Sequence, residues 1–183
     1  MTIRKIARMG HPALGQRAEP VTNLHDPELR RLVEDMVETM IDANGAGLAA
    51  PQVHEAIRLV IFQAPTGRSD PGLAQAEAFD HIAPLTVLVN PVIEFLGPEK
   101  EGGWEGCLSV PGLRGWVERA ADIRYRGLGL DGKTIERTAK GFHARVVQHE
   151  CDHLDGILYP QRMTDMTKLI FESETKHWLE QNE

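Results

Sequence analysis

GFHARVVQHECDHLDG, residues 141–156, is the stretch on which the reading of the fold turns. Phe142, Val146, His149 and His153 recur in it at spacings of four, three and four, which is one face of an α-helix. Gly156 suits the cap that ends this helix. Upstream the period is different. Residues 57–63 (IRLVIFQ) and 84–96 (PLTVLVNPVIEFL) are rich in β-branched side chains and read as strands, the second interrupted at Asn90-Pro91, with 65–80 a surface excursion between them. Residues 116–130 alternate in part, Val117, Ala121, Ile123 and Tyr125 against Glu118, Asp122, Arg124 and Arg126, and Asp131-Gly132 closes a hairpin into 134–139. Residues 26–41 carry the apolar stripe Leu29, Leu32, Val33, Met36, Val37, Met40 and Ile41, with Asp26 as cap, Pro27 in the first turn and Asn44-Gly45 as the stop. A last helix is expected over 164–179, with Met166, Leu169, Ile170 and Trp178 apolar. Strands precede the long helix and do not alternate regularly with helices, so an α+β fold is expected rather than a doubly wound sheet.

The whole chain, residues 1–183, reads as one domain without repeats or low-complexity tracts. With 42% hydrophobic and 26% charged residues it has the composition of a soluble globular protein. Twenty Lys and Arg stand against 27 Asp and Glu, a formal charge of -7, which disfavours direct nucleic-acid specificity and binding to anionic lipid. No stretch approaches a membrane span, and the opening MTIRKIARMGHP lacks the apolar run and cleavage site of a signal peptide. Cys107 and Cys151 are the two cysteines, too few for a disulfide framework, so a reducing cytoplasm is expected and each thiol stands for packing or chemistry.

His149-Glu150-Cys151-Asp152-His153 has the H-E-x-x-H spacing. On a helix, residues 149 and 153 stack one turn apart, so two imidazoles converge on one ion, while Glu150 lies about 100° around the axis and reaches a water on it. The bland reading is a solvated helix turn, but both histidines continue the apolar stripe of Phe142 and Val146. Cys151 is about 200° from His149 and reads as packing. His11, His25, His54, His81, His143 and His177 have no partner pattern and read as surface or satisfied core. The third ligand is open at this point. The extended protease pattern with a third histidine after Gly156 meets Tyr159 instead; Glu172 or Glu174 lies near the distance at which a zinc endopeptidase takes a glutamate; and Cys107, in EGCLS (105–109), would make a Cys plus two His site with one open position.

Three segments, GAGLAAPQ (45–52), EGCLS (105–109) and QHECDH (148–153), together resemble the signature motifs of the peptide deformylases, in the same order, within a similarity covering roughly residues 6–163. The opening GHPAL (10–14) is similar too. The resemblance implies antiparallel sheets packed around a central helix carrying the H-E-x-x-H motif, with N-terminal and C-terminal helices. It implies removal of formate from N-formyl-methionyl nascent chains. Cys107, His149 and His153 would be the metal ligands and Glu150 the general acid/base. The Gln52 side-chain amide and the Leu108 backbone N–H would steady the oxyanion. Gly45, Ala46 and Gly47 would bind the peptide as an added strand, and Phe142 and Val146 would form the methionine pocket. Glu105 would contribute to the binding site or act as an acceptor behind a ligand. Arg145 stands where many members carry an aliphatic residue, so a polar pocket rim is expected, and Gly103 leaves space before Trp104.

One divalent metal ion is implied, with Fe2+ in the cell, although the donor set also accepts Zn2+, Ni2+ or Co2+. Two competitors remain at this stage: a zinc endopeptidase using Glu172 or Glu174, and a binding module whose Cys107, His149 and His153 close a structural zinc site with another group. Substrate logic adds a transient ribosome contact. The net acidity requires a local basic patch for it, for which Arg4, Lys5 and Arg8 are candidates against the plainer reading of a solvated face.

Overall fold

The computed structural model describes residues 2–64 and 83–182, and the excursion read at 65–80 lies outside them. Helix α1 (Pro27–Asp42) begins where Asp26 Oδ1 accepts the Glu28 N–H at 2.9 Å, with Pro27 in its first turn. It stops because Asn44 turns to a φ of 53° and the Gly45 N–H reaches back to the Met40 carbonyl at 2.8 Å.

Five strands make an antiparallel sheet in the order β1-β2-β3-β6-β7: β1 (Gly47–Ala49), β2 (Leu59–Ala64), β3 (Ala83–Phe95), β6 (Asp122–Leu128) and β7 (Thr134–Lys140). A second antiparallel sheet has the order β4-β5-β8, from β4 (Lys100–Cys107), β5 (Val110–Ala120) and β8 (Leu169–Phe171). Helix α2 (Gly141–Leu154) follows β7, and a short α3 (Thr175–Asn182) ends the described chain. The fold is therefore α+β, as expected.

Strand β2 is buried on both faces. Leu59 and Ile61 meet Leu32, Met36 and Met40 of α1, while Val60 and Phe62 meet the core that Val147, Cys151 and Leu154 of α2 share. The period of two thus assigns alternate residues to two helices. Helix α2 lies between the sheets, and its Gln148 side chain bonds both the N–H and the carbonyl of Ala120 in β5. At Asn90-Pro91 the register of β3 shifts and Asn90 takes a φ of 51°; its side chain brackets the N–H and carbonyl of Val21 at 2.9 Å each.

Three sequence expectations change. Residues 116–130 are not one alternating segment: the chain leaves one sheet after Ala120 and enters the other at Asp122, so two strands meet at Ala121. Strand β4 is unannounced because glycines at 102, 103 and 106 dilute its β-forming residues. The helix expected over 164–179 begins only at Thr175; Leu169, Ile170 and Phe171 pair with Gly115, Arg114 and Leu113 as an edge strand instead, tertiary pairing overriding a helical spacing.

Gly156 has a φ of 73°, and a Cβ there would fall 2.8 Å from the Gly15 carbonyl carbon. Gly156→Ala is expected to lower stability by more than the roughly 1–2 kcal/mol of a left-handed alanine, read as a lower urea midpoint at constant m-value. Gly10→Ala, at a φ of 96° with nothing within 4 Å, is expected to cost less.

Candidate metal centre

Helix α2 sets the His149 and His153 rings edge to face, with centroids 5.0 Å apart. The β4–β5 ladder slips in register between Gly106 and Cys107, and the tight turn that follows brings the Cys107 Sγ to 3.4 Å from His153 Nε2. One ligand atom each from Cys107, His149 and His153 lies within 4.8 Å of the others, and this is the only such group among the described residues. A thiolate and two imidazoles with no fourth protein donor in the group suit a divalent ion that keeps an open position, which the closed structural-zinc reading lacks. Glu172 is instead an exposed acceptor for the Arg114 guanidinium at 2.7 and 3.0 Å, and Glu174 is exposed beside Ser173. Neither joins the donor group, so the endopeptidase reading loses its third ligand.

The sulfur is the focus of neighbouring N–H groups. Ser109 N lies 3.4 Å from it and Gln52 Nε2 3.6 Å. Gln52 is fixed at both ends of its amide: Oε1 accepts the Ala49 N–H at 2.8 Å and Nε2 donates to Ser109 Oγ at 3.1 Å. Ser109, fully buried, had no role in the sequence reading, although it stands inside the EGCLS motif.

Glu150 lies against Gly47, where a Cβ would come within 2.6 Å of its carboxyl carbon. The glycine therefore makes room for this carboxylate. Its Oε2 is buried without a partner, and burial pushes the group up to about 7. Gly45 performs a similar service for Leu108, whose Cδ1 would be 3.0 Å from a Cβ at 45. His153 Nδ1 and the Tyr159 hydroxyl, beside His149, also lack partners.

Behind the histidines runs a chain of charges. His149 Nδ1 meets Glu105 Oε2 at 2.8 Å, which leaves Nε2 for a metal. Glu105, 4% exposed, accepts from Arg119 Nε and Nη2 at 2.8 and 2.9 Å and from Arg145 Nη1 at 2.9 Å. Arg119 also bonds Asp152, which Arg162 holds from outside at 2.6 Å. Burial alone would raise the Glu105 carboxyl; Arg119 and His149 outweigh it and hold the group well below the usual carboxylate range. Burial also lowers His153 well below the ordinary histidine range, aided by the neighbouring His149. On His149 burial is outweighed by Cys107 and Glu105, which favour a cation on that ring. Arg119 was missed; its signal was its place in step with the inward Val117 on β5.

These groups open onto a cavity of about 710 Å³. Gly45, Ala46, Gly47 and Gln52 line it, together with Glu105, Cys107 and Leu108, and with Phe142, Val146, His149 and Glu150 from α2. Of the expected site residues only His153, 1% exposed, does not line it. The carboxylate of Glu105 is wholly engaged by its three partners, which makes it an anchor for His149 rather than a group free for substrate. Arg145 does not stand free at the rim, since β4 and β5 take up its guanidinium. Cys151 is a buried free thiol in the main core, as expected, and His143 is a satisfied core residue 3.1 Å from the Tyr125 hydroxyl.

Comparison with known proteins agrees with this geometry. Residues 3–169 match the family model described as polypeptide deformylase. The chain is 54% identical over 168 residues to peptide deformylase 1 of Bordetella pertussis, covering 91% of this chain and 90% of that one. A class I type b peptide deformylase from Acinetobacter baumannii, solved with Met-Ala-Ser bound, superposes with a TM-score of 0.77 at 39% identity, covering 88% of this chain and 98% of that one. The peptide deformylase of Thermotoga maritima gives a TM-score of 0.77 at 34% identity, over 90% and 100% of the two chains. With the match running through nearly the whole chain, this chain belongs to the polypeptide deformylase family.

Proposed function

We propose that this chain hydrolyses the N-formyl group from the terminal formyl-methionine of newly made polypeptides, releasing formate and a free α-amine. The observation that carries the reading is the Cys107, His149, His153 donor group beside the unpartnered carboxylate of Glu150, both opening on one cavity. Cys107, His149 and His153 would hold one divalent ion, which when bound supplies Lewis-acid polarisation and acidifies water. Glu150 takes a proton from the attacking water and delivers it to the departing amine nitrogen, a task its raised affinity for protons suits. The Gln52 Nε2–H and the Leu108 backbone N–H donate to the formyl oxygen as it gains charge. Ser109 and Ala49 hold the Gln52 amide in the orientation this requires. Backbone at Gly45, Ala46 and Gly47 pairs with the extended substrate, and Phe142 and Val146 bury its methionine side chain. The family member that binds Met-Ala-Ser supports a peptide of this class in the groove.

Residues 1–183 act as one catalytic domain in this reading, and the chain works in the cytoplasm, where Cys107 stays reduced. No helix among the described residues is long and apolar enough to cross a membrane. Fe2+ is the metal proposed, with Zn2+, Ni2+ or Co2+ able to replace it in a thiolate–imidazole set. Any ribosome contact at the amino terminus rests on Lys5 and Arg8, because Arg4 is committed to Asp35 and Glu55 at 3.2 and 2.7 Å.

Metal-loaded protein is expected to release formate from formyl-Met-Ala-Ser and to leave the acetylated peptide intact; absence of formate would overturn the reading. Cys107→Ala is expected to lose metal and activity together. Glu150→Gln is expected to keep the metal while kcat falls about 10²–10⁴-fold. Iron-loaded enzyme should lose activity in air while nickel-loaded enzyme keeps it, because a thiolate on ferrous iron is open to oxidation. Linkage gives a further expectation for the metal-free protein. Glu150 is raised from 4.5 to about 7 in the fold, so its contribution to stability is present below pH 4.5 and lost as pH rises through 7. Glu150→Gln should therefore raise the thermal midpoint at pH 8 and change it little at pH 4, measured by calorimetry.

A further inference from the structure

Arg145 lies one turn before His149 on α2, and its stem lines the cavity beside Phe142 and Val146. Its guanidinium leaves that apolar setting for the β4–β5 pair. Nη1 donates to Glu105 Oε1 at 2.9 Å and to the Val117 carbonyl at 2.8 Å, and Nη2 donates to the Glu101 carbonyl at 2.8 Å. The side chain is 11% exposed. This position exists only because residue 103 has no side chain: a Cβ on Gly103 would stand 2.7 Å from both Cζ and Nη2 of Arg145. The far end of Arg145 has no freedom to retreat, since a carboxylate and the carbonyls of Glu101, Val117 and, at 3.4 Å, Gly103 grip it.

The consequence falls on Glu105. Arg119, with Nε on Oε1 and Nη2 on Oε2, forms a planar fork that orients the carboxylate from β5. Arg145 adds a second cation on Oε1 from α2 and braces the carboxylate from a different element. The acceptor Oε2 then stays on His149 Nδ1, and the ring keeps its Nε2 aimed at the Cys107 and His153 donors.

We propose that Arg145 is a positioning residue, coupled to Gly103, that locks Glu105 onto His149 and so slows loss of the metal; this rests on the ligand reading of Cys107, His149 and His153. The test uses the full chain loaded with Co2+, following release to a chelator and the thiolate-to-cobalt absorption band. Arg145→Ala is expected to release cobalt about 10–100-fold faster, the range typical of lost partners behind a ligating histidine, with a shifted band. It leaves a void shaped for a guanidinium ion and lined by one carboxylate and three carbonyls. Millimolar guanidinium chloride, far below denaturing levels, should restore both readouts, whereas equal urea or ammonium chloride should not. Gly103→Val in the Arg145→Ala background fills the void and should abolish the rescue, while Gly103→Val alone should be worse tolerated than in that background. Arg145→Lys, which supplies a cation without the fork, should release cobalt at an intermediate rate and serves if Arg145→Ala does not fold. Wild-type release and spectrum in Arg145→Ala or Arg145→Lys, with lowered stability alone, would overturn the proposal and leave Arg145 as a tie between α2 and the second sheet. A wild-type protein without a thiolate-to-cobalt band would instead sink the ligand reading itself, and the proposal with it.

Discussion

A carboxylate with 4% of its surface exposed stays ionised only if cations surround it, and Glu105 is the point at which this structure meets that demand. Arg119 reaches it from β5, Arg145 from α2, and the His149 ring closes the set. The three partners come from one strand and one helix, 14, 40 and 44 residues along the chain from Glu105, so the ion network can form only when the second sheet is docked on α2. Desolvation of so many charges makes the network weak as a source of net stability and strong as a constraint on geometry: any arrangement that leaves one of these charges unpaired is severely penalised. The metal centre inherits that constraint, because His149 is held by the carboxylate the network exists to neutralise.

Close approach through missing side chains is the second organising feature. Gly47 admits the Glu150 carboxylate, Gly103 admits the Arg145 guanidinium, and Gly156 lets the end of α2 pass the backbone at Gly15. In the first two cases a glycine yields its volume to an ionisable side chain of α2. Such approach lets the Glu150 carboxyl sit buried against Gly47, and that burial pushes it up to about 7.

Much of the site was legible because its chemistry is local. The H-E-x-x-H spacing orients two imidazoles and a carboxylate within one helix, and a single turn between β4 and β5 carries Cys107, Leu108 and Ser109. The charge network was less legible. Arg119 and Asp152 look like ordinary solvated charges within their own segments, and only an inward phase shared with Val117 distinguishes Arg119. Likewise Arg145 read as a polar rim, because nothing in a linear chain shows that Gly103, 42 residues away, leaves the space that receives it.

Local pattern therefore determined the α+β class, helices α1 and α2 with their caps, the β6–β7 hairpin and the shared helix face of His149 and His153, since each depends on periodicity or turn chemistry within a few positions. Tertiary structure alone decided the division of 116–130 between two sheets, the glycine-rich strand β4, and the pairing of Leu169–Phe171 as an edge strand. Those segments have weak intrinsic preference, and hydrogen-bonding partners distant in sequence select their conformation. The same holds for Glu105: its type was visible in the motif, but its role was settled by the two arginines and the histidine that folding gathers around it, because a buried charge takes its properties from its neighbours in space.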